Sequence, residues 1–313
     1  MSFKIIGLIY FGDLEGLSEA TQLSFQIILA TWHCLLMMTS GILLFKKREY
    51  TFLGRLVFSI IFAHSLAKTL SNILYMYCLQ NLENDQASTA FNIFELVGIV
   101  TYYCMYDIVL FSWVEVVFRV SHLGYGEEKV HKWRNIFCIF TACWILAIFI
   151  ISDLVINKDQ EIAIKVFGFG LVSVTIFSFI LSMAFLFYWI RLHKLIKSIP
   201  INSVGSTKSQ FLGKFAVLSF IFIICLDVKI VHYALNIHDP FSSDIWDLYA
   251  FNYLPEAIAV TTALVFFMGS KTNMELEQER EYSETERANI KRRQEKQLLL
   301  NGASATSDES ISI

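Results

Sequence analysis

Seven long apolar stretches dominate the chain, at roughly 21–45, 52–79, 91–118, 135–155, 162–190, 211–236 and 247–269. Charged residues fall mainly between them. At 1.5 Å of rise per residue, each stretch spans a hydrocarbon core of about 30 Å as a helix. A helix satisfies its backbone groups internally, as lipid requires. The pattern therefore predicts an all-α bundle of seven transmembrane helices at 21–270, after an extracytosolic segment at 1–20. From 271 to 313 the composition changes abruptly. Residues 275–300 are rich in Glu, Arg, Lys and Gln and read as a solvated helix. The run from Asn301 onward reads as disordered, so the whole of 271–313 is expected to be a cytosolic tail. The apolar patch at 3–11 lacks a small-residue cleavage site and reads as interfacial rather than as a signal peptide.

Composition agrees. The 313 residues are 55% hydrophobic and only 17% charged, with 28 Phe and a mean hydropathy of +0.54. A soluble domain is nearer a quarter charged. The six cysteines lie almost entirely in apolar stretches, so no disulfide is expected. The net charge of −3 says less than its distribution. Lys46, Lys47 and Arg48 lie between the first two stretches, with Arg55 at the near end of the second, and Arg119, Lys129, Lys132 and Arg134 lie between the third and fourth. Arg191, Lys194, Lys197 and Lys208 lie between the fifth and sixth, and seven more basic residues follow position 270. The alternate connections are nearly devoid of them. The positive-inside rule thus predicts an extracytosolic N-terminus and a cytosolic C-terminus.

Ionisable residues inside a span are expensive and are candidate functional groups. His64, Lys68 and Asn72, spaced i, i+4, i+8, share one face of the second helix. Asp107 lies in the third between Tyr103 and Tyr106 and the helix end, where Glu115 and Arg119 are spaced for a local pair. In the sixth, Asp227 and Lys229 point to nearly opposite faces; Asp227 is expected in the core and Lys229 at the interface. In the seventh, Glu256 follows Pro255, which is expected to kink the helix. Depth suggests that Lys68 meets Asp107, and that Asp227 meets Glu256 or Lys229. Two readings stay open for this network: a relay or polar ligand pocket, or interhelical ties that set the register of the bundle.

Several chemistries find no residues to carry them. The seventh stretch has no lysine for a retinal Schiff base, and the seven histidines contain no HxxxH or HExxH pair. No Walker loop, GxSxG elbow or CxxC pair occurs. FGFG at 167–170 reads as a close helix contact, not a phosphate loop. No enzyme, cofactor, metal or nucleic-acid partner is expected. VVFRVSH replaces a DRY-like triplet and no NPxxY occurs, which argues against a conventional hormone receptor.

Three segments resemble the plant tobamovirus-multiplication (THH/TOM) seven-helix membrane protein family and its animal lysosomal orphan-receptor-like relatives. YDIVLFSWVE supplies Tyr106, Trp113 and Glu115 at the family spacing. YWIRLHKLIKSIP supplies Tyr188, Arg191, Leu192 and Pro200, and Glu256 precedes the aliphatic run ALVFF. Ala259 stands where the family commonly has Pro, and Pro255 precedes the Glu instead. The likeness extends over about residues 20–270. It implies a non-enzymatic protein of vacuolar or endolysosomal membranes that recruits or regulates small GTPases of the Arf-like or Rag type. The plasma membrane is the alternative location, and a receptor or transporter using the buried network is the alternative function. Glu295, Leu299 and Leu300 in EKQLLL form an acidic dileucine pattern suited to sorting adaptors. Trp133, Arg134, Arg191 and Lys194 are the expected cytosolic partner surface, because Trp and Arg dominate binding hot spots.

Overall fold

In the computed structural model the chain is described at residues 19–46, 52–80, 85–120, 127–156, 160–198, 205–235 and 248–268. The described segments are helical. They comprise α1 (Glu19–Phe45), α2 (Phe52–Gln80), α3 (Asp85–Val120), α4 (Glu127–Ile156), α5 (Gln160–Ser198) and α6 (Gly205–Leu235). The last helix, α7, opens with a π-helical segment, Leu248–Tyr253, and continues as α-helix through 254–268. All seven are long and apolar enough to cross a membrane. The contact pattern divides the chain into Met1–Phe267 and Met268–Ile313. Beyond Met268 the second unit lies outside the described residues, as do the N-terminal segment to position 18, Pro200, Glu295, Leu299 and Leu300.

Helix lengths exceed the apolar stretches where charged residues flank them. α5 continues past Ile190 through Arg191 and Lys194 to Ser198, and α4 begins at Glu127 instead of near 135. Arg, Lys and Glu are good helix formers, so the helices run beyond the apolar core without a change of propensity. The π-helical opening of α7 lies directly before Pro255. Proline has no N–H to donate and its ring crowds the carbonyl four residues back. The wider turn accommodates both, and it is the local irregularity that the proline forces.

Sequential helices pack as neighbours, and α3 also packs against α5. The circle closes between α7 and α1: Gln26 Nε2 donates to the Tyr249 hydroxyl at 2.8 Å, and Trp32 Nε1 to Thr261 Oγ1 at 3.1 Å. α3 is the central helix. Of its spanning window 61% is buried, against 17% for α4, whose Ile139 and Phe140 face outward. Exposed apolar side chains such as Ile28, Leu35, Phe169, Phe187 and Phe220 form the belt expected to meet lipid tails. Gly170 seats α5 on α4: a Cβ there would lie 2.5 Å from Ile148 Cγ2, as the close-contact reading of FGFG requires.

The interior has two halves. Toward the end where α3 finishes it is aromatic. Trp113 packs edge-on to Phe185 at 5.0 Å and tilted on Phe215 at 5.1 Å, while Phe222 meets Tyr106 at 4.6 Å. Toward the end where α7 begins it is polar, and this half carries the candidate site.

A buried charge cluster as candidate functional site

The site is built from four helices. Lys68 is the centre of the α2 face, and its Nζ lies 2.7 Å from Glu95 Oε2 on α3 and 3.1 Å from Glu256 Oε1 on α7. Lys229 Nζ of α6 donates to Glu256 Oε2 at 3.0 Å. Ser71 Oγ donates to Glu95 Oε1 at 2.8 Å. None of these four charged side chains is more than 2% exposed. Two lysines and two glutamates sum to zero formal charge, which lets the set persist in a medium that penalises an isolated ion. Aromatic faces complete the enclosure: Lys229 Nζ is 4.1 Å from the Tyr102 ring centroid, and Lys68 Nζ is 5.0 Å from that of Tyr253.

Gly98 makes room for this geometry. It lies one turn from Glu95, and a Cβ on it would come within 2.8 Å of Lys68 Cε. Its carbonyl also fixes the tautomer of His64. Nδ1 of His64 is 3.0 Å from Gly98 O, which only accepts, so Nδ1 carries the hydrogen. The other nitrogen, Nε2, is 3.5 Å from Glu256 Oε1. With His64 neutral, two acceptors face each other there: Oε1 is already held by Lys68 at 3.1 Å, while Nε2 has no hydrogen-bond partner. A single added proton would bridge them. His33 of α1 stands edge-on to His64 at 5.5 Å.

Several sequence expectations need correction. Lys68 does not meet Asp107. In the antiparallel α2–α3 hairpin, Asp107 lies about 15 Å further along the axis than Lys68, beyond the reach of the side chain. Asp107 Oδ2 instead accepts from Thr141 Oγ1 of α4 at 2.7 Å. Asp227 is not in the core network: it is exposed on the bundle surface and accepts from Ser182 Oγ of α5 at 2.8 Å. Lys229, expected at the interface, is the buried member. It continues the α6 stripe of Phe215, Leu218, Phe222 and Leu226, from which Asp227 is rotated away. Arg134, expected on the partner surface, is only 4% exposed.

Other expected positions divide as follows. His64, Lys68, Asn72 and Glu256 are buried together in the polar half. Tyr106, whose hydroxyl is 3.0 Å from that of Tyr102, and Trp113 are fully buried; Glu115 lies near the end of α3, 4.0 Å from His131. Leu192 is buried and Tyr188 half-buried, while Trp133, Arg191 and Lys194 are exposed. Glu95 was missed. It lies ten residues into α3, close to the depth of Lys68 across the hairpin, and shares a face with Tyr102 and Tyr106. Among the described residues no group of three His, Cys, Asp or Glu is arranged to hold a metal ion.

No protein-family model matches the chain, and no curated protein matches it.

Proposed function

We propose that this is a non-enzymatic integral membrane protein of the receptor or transporter class, working through the charge cluster of α2, α3, α6 and α7. The observation that carries the reading is Glu256. It holds Lys68 and Lys229 from two other helices and leaves an unbridged 3.5 Å gap to His64. Lys68 in turn stands between two carboxylates. Each can exchange one partner for another with a small movement, which is what an element with two discrete arrangements requires. The charge distribution of the connections supports an extracytosolic N-terminus and a cytosolic C-terminus.

The test is hydrogen exchange of the full chain in lipid nanodiscs at pH 5.5 and 7.5, corrected for the intrinsic exchange rate. Wild type should show altered protection in α6 and α7, and folded Glu256→Gln should not. Equal profiles at both pH values in wild type would leave the cluster as a set of structural ties.

A second reading follows the resemblance to the tobamovirus-multiplication family: a platform on vacuolar or endolysosomal membranes that recruits small GTPases of the Arf-like or Rag type. It is favoured by one feature. Trp133 at the start of α4 is 56% exposed, at the same end of the bundle as exposed Arg191 and Lys194 near the end of α5. Replacing these three by alanine should abolish co-purification of such a GTPase. Unchanged recovery would reject the platform.

A further inference from the structure

Outward from the charge cluster, toward the end where α7 begins, the buried positions remain polar. One turn beyond Lys68 on α2 is Asn72, one turn beyond Glu95 on α3 is Asn92, and two turns beyond His33 on α1 is Gln26. Each of the three amides is only 1% exposed. Asn72 Nδ2, both side-chain atoms of Asn92 and Gln26 Oε1 have no hydrogen-bond partner within the protein. The same holds for His33 Nδ1 and His64 Nε2 at the inner end of the series. Along α7, Tyr253 covers Lys68, Tyr249 lies 5.7 Å from Tyr253, and Gln26 reaches the Tyr249 hydroxyl.

Unpartnered buried polar atoms are normally satisfied by internal water, which needs two to four polar neighbours. A succession of such atoms on α1, α2 and α3, edged by tyrosine hydroxyls, supplies them. In the other direction the succession stops. Beyond Tyr102 and Tyr106 the interior is filled by Phe185, Phe222, Phe215 and Trp113 in ring contact. Ser65 Oγ, Trp113 Nε1 and Asp107 Oδ1 also lack partners, as do half-buried Arg55 Nε and His131 Nδ1 at the far end. But Ser65 lies within one turn of Lys68 at the cluster itself, Trp113 is enclosed by those rings and Asp107 faces α4.

We propose that a file of internal water runs from the α7-N-terminal end of the bundle to the Lys68–Glu95–Glu256 cluster and ends there. The ligand of the site is then the proton, delivered through water from one side of the membrane and received between His64 Nε2 and Glu256 Oε1. The groups facing that position are His33 from α1, Lys68 from α2, Glu95 and Tyr102 from α3, Lys229 from α6 and Tyr253 from α7. From α5, Ser178 binds Tyr103 and presents no charge. This deepens the receptor or transporter reading by making the cluster one-sided.

Radiolytic hydroxyl-radical footprinting of the full chain in nanodiscs tests it, because radicals formed from bound water oxidise the aromatic rings beside them. Tyr75, three residues past Asn72 on α2 and 5.8 Å from Phe91, and Tyr249 and Tyr253 should label several-fold faster than Trp113, Phe185 and Phe222, although both sets are buried. Asn92→Leu, which leaves all four charges in place, should reduce labelling of Tyr253. Protection of all six rings would overturn the water file, and labelling of Trp113 and Phe222 at the tyrosine rate would overturn its one-sidedness. Neither result bears on the hydrogen-exchange response of Glu256→Gln, so the file and the functional reading fail separately.

Discussion

The charge balance of the interior can be tested by removing one charge, then its partner. In Glu256→Gln the cluster keeps Lys68, Lys229 and Glu95, so its formal charge rises by one. Lys229, 3.0 Å from the lost carboxylate oxygen and 2% exposed, is left with an amide and the Tyr102 ring. Breaking a buried pair from one side costs about 3–5 kcal/mol, because the remaining ion stays desolvated. Lys229→Met should cost a similar amount for the opposite sign. The double variant removes both charges and retains Lys68–Glu95 at 2.7 Å. It should be more stable than the sum of the singles predicts, by a coupling of roughly 0.5–3 kcal/mol. The assay is reversible unfolding of the purified chain in mixed lipid–detergent micelles, with all four proteins measured together. Losses that simply add would show that Glu256 and Lys229 do not act as a pair, and the argument from charge balance would fail.

Other predictions follow from single contacts. Gly98→Ala places a methyl 2.8 Å from Lys68 Cε, whose ammonium is pinned by two carboxylates. It should destabilise by about 1–3 kcal/mol in the same assay, and an unchanged midpoint would reject the crossing geometry. Asp107→Asn keeps an oxygen for Thr141 and should shift stability by less than about 1 kcal/mol, whereas Asp107→Leu strands the Thr141 hydroxyl and should cost about 1–3 kcal/mol. Equal losses would place a required charge at this site. The platform reading predicts that Leu299→Ala/Leu300→Ala moves a tagged chain from acidic organelles to the cell surface. Co-localisation of variant and wild type would remove the sorting role from EKQLLL.

The number and approximate placement of the helices were legible because twenty-residue apolar runs have one stable solution in lipid. The α2 face of His64, Lys68 and Asn72 was legible too, since period alone defines it. Partner assignment was harder. Lys68 was matched to Asp107 by treating both as central, although helix ends five residues apart in the hairpin make Glu95 the residue at matching depth. The exchange of Asp227 for Lys229 has a different cause. Periodicity established that the two face apart, and the aromatic stripe through Phe215 and Phe222 marked the inner face. Snorkelling favours the interface for Lys229, yet the residue continues that stripe and Glu256 compensates its buried ammonium. The role of Gly98 had no pattern to show it. A glycine carries no side chain to read, and its importance lies in the lysine that crosses it.

The central claim is that the cluster changes protonation, and infrared pH-difference spectroscopy of the full chain in lipid reads that directly. Between pH 5.5 and 7.5 wild type should show a carboxyl or imidazole band that is lost in both Glu256→Gln and His64→Gln, the two sides of the 3.5 Å gap. A wild-type difference spectrum that both variants reproduce unchanged would contradict the account.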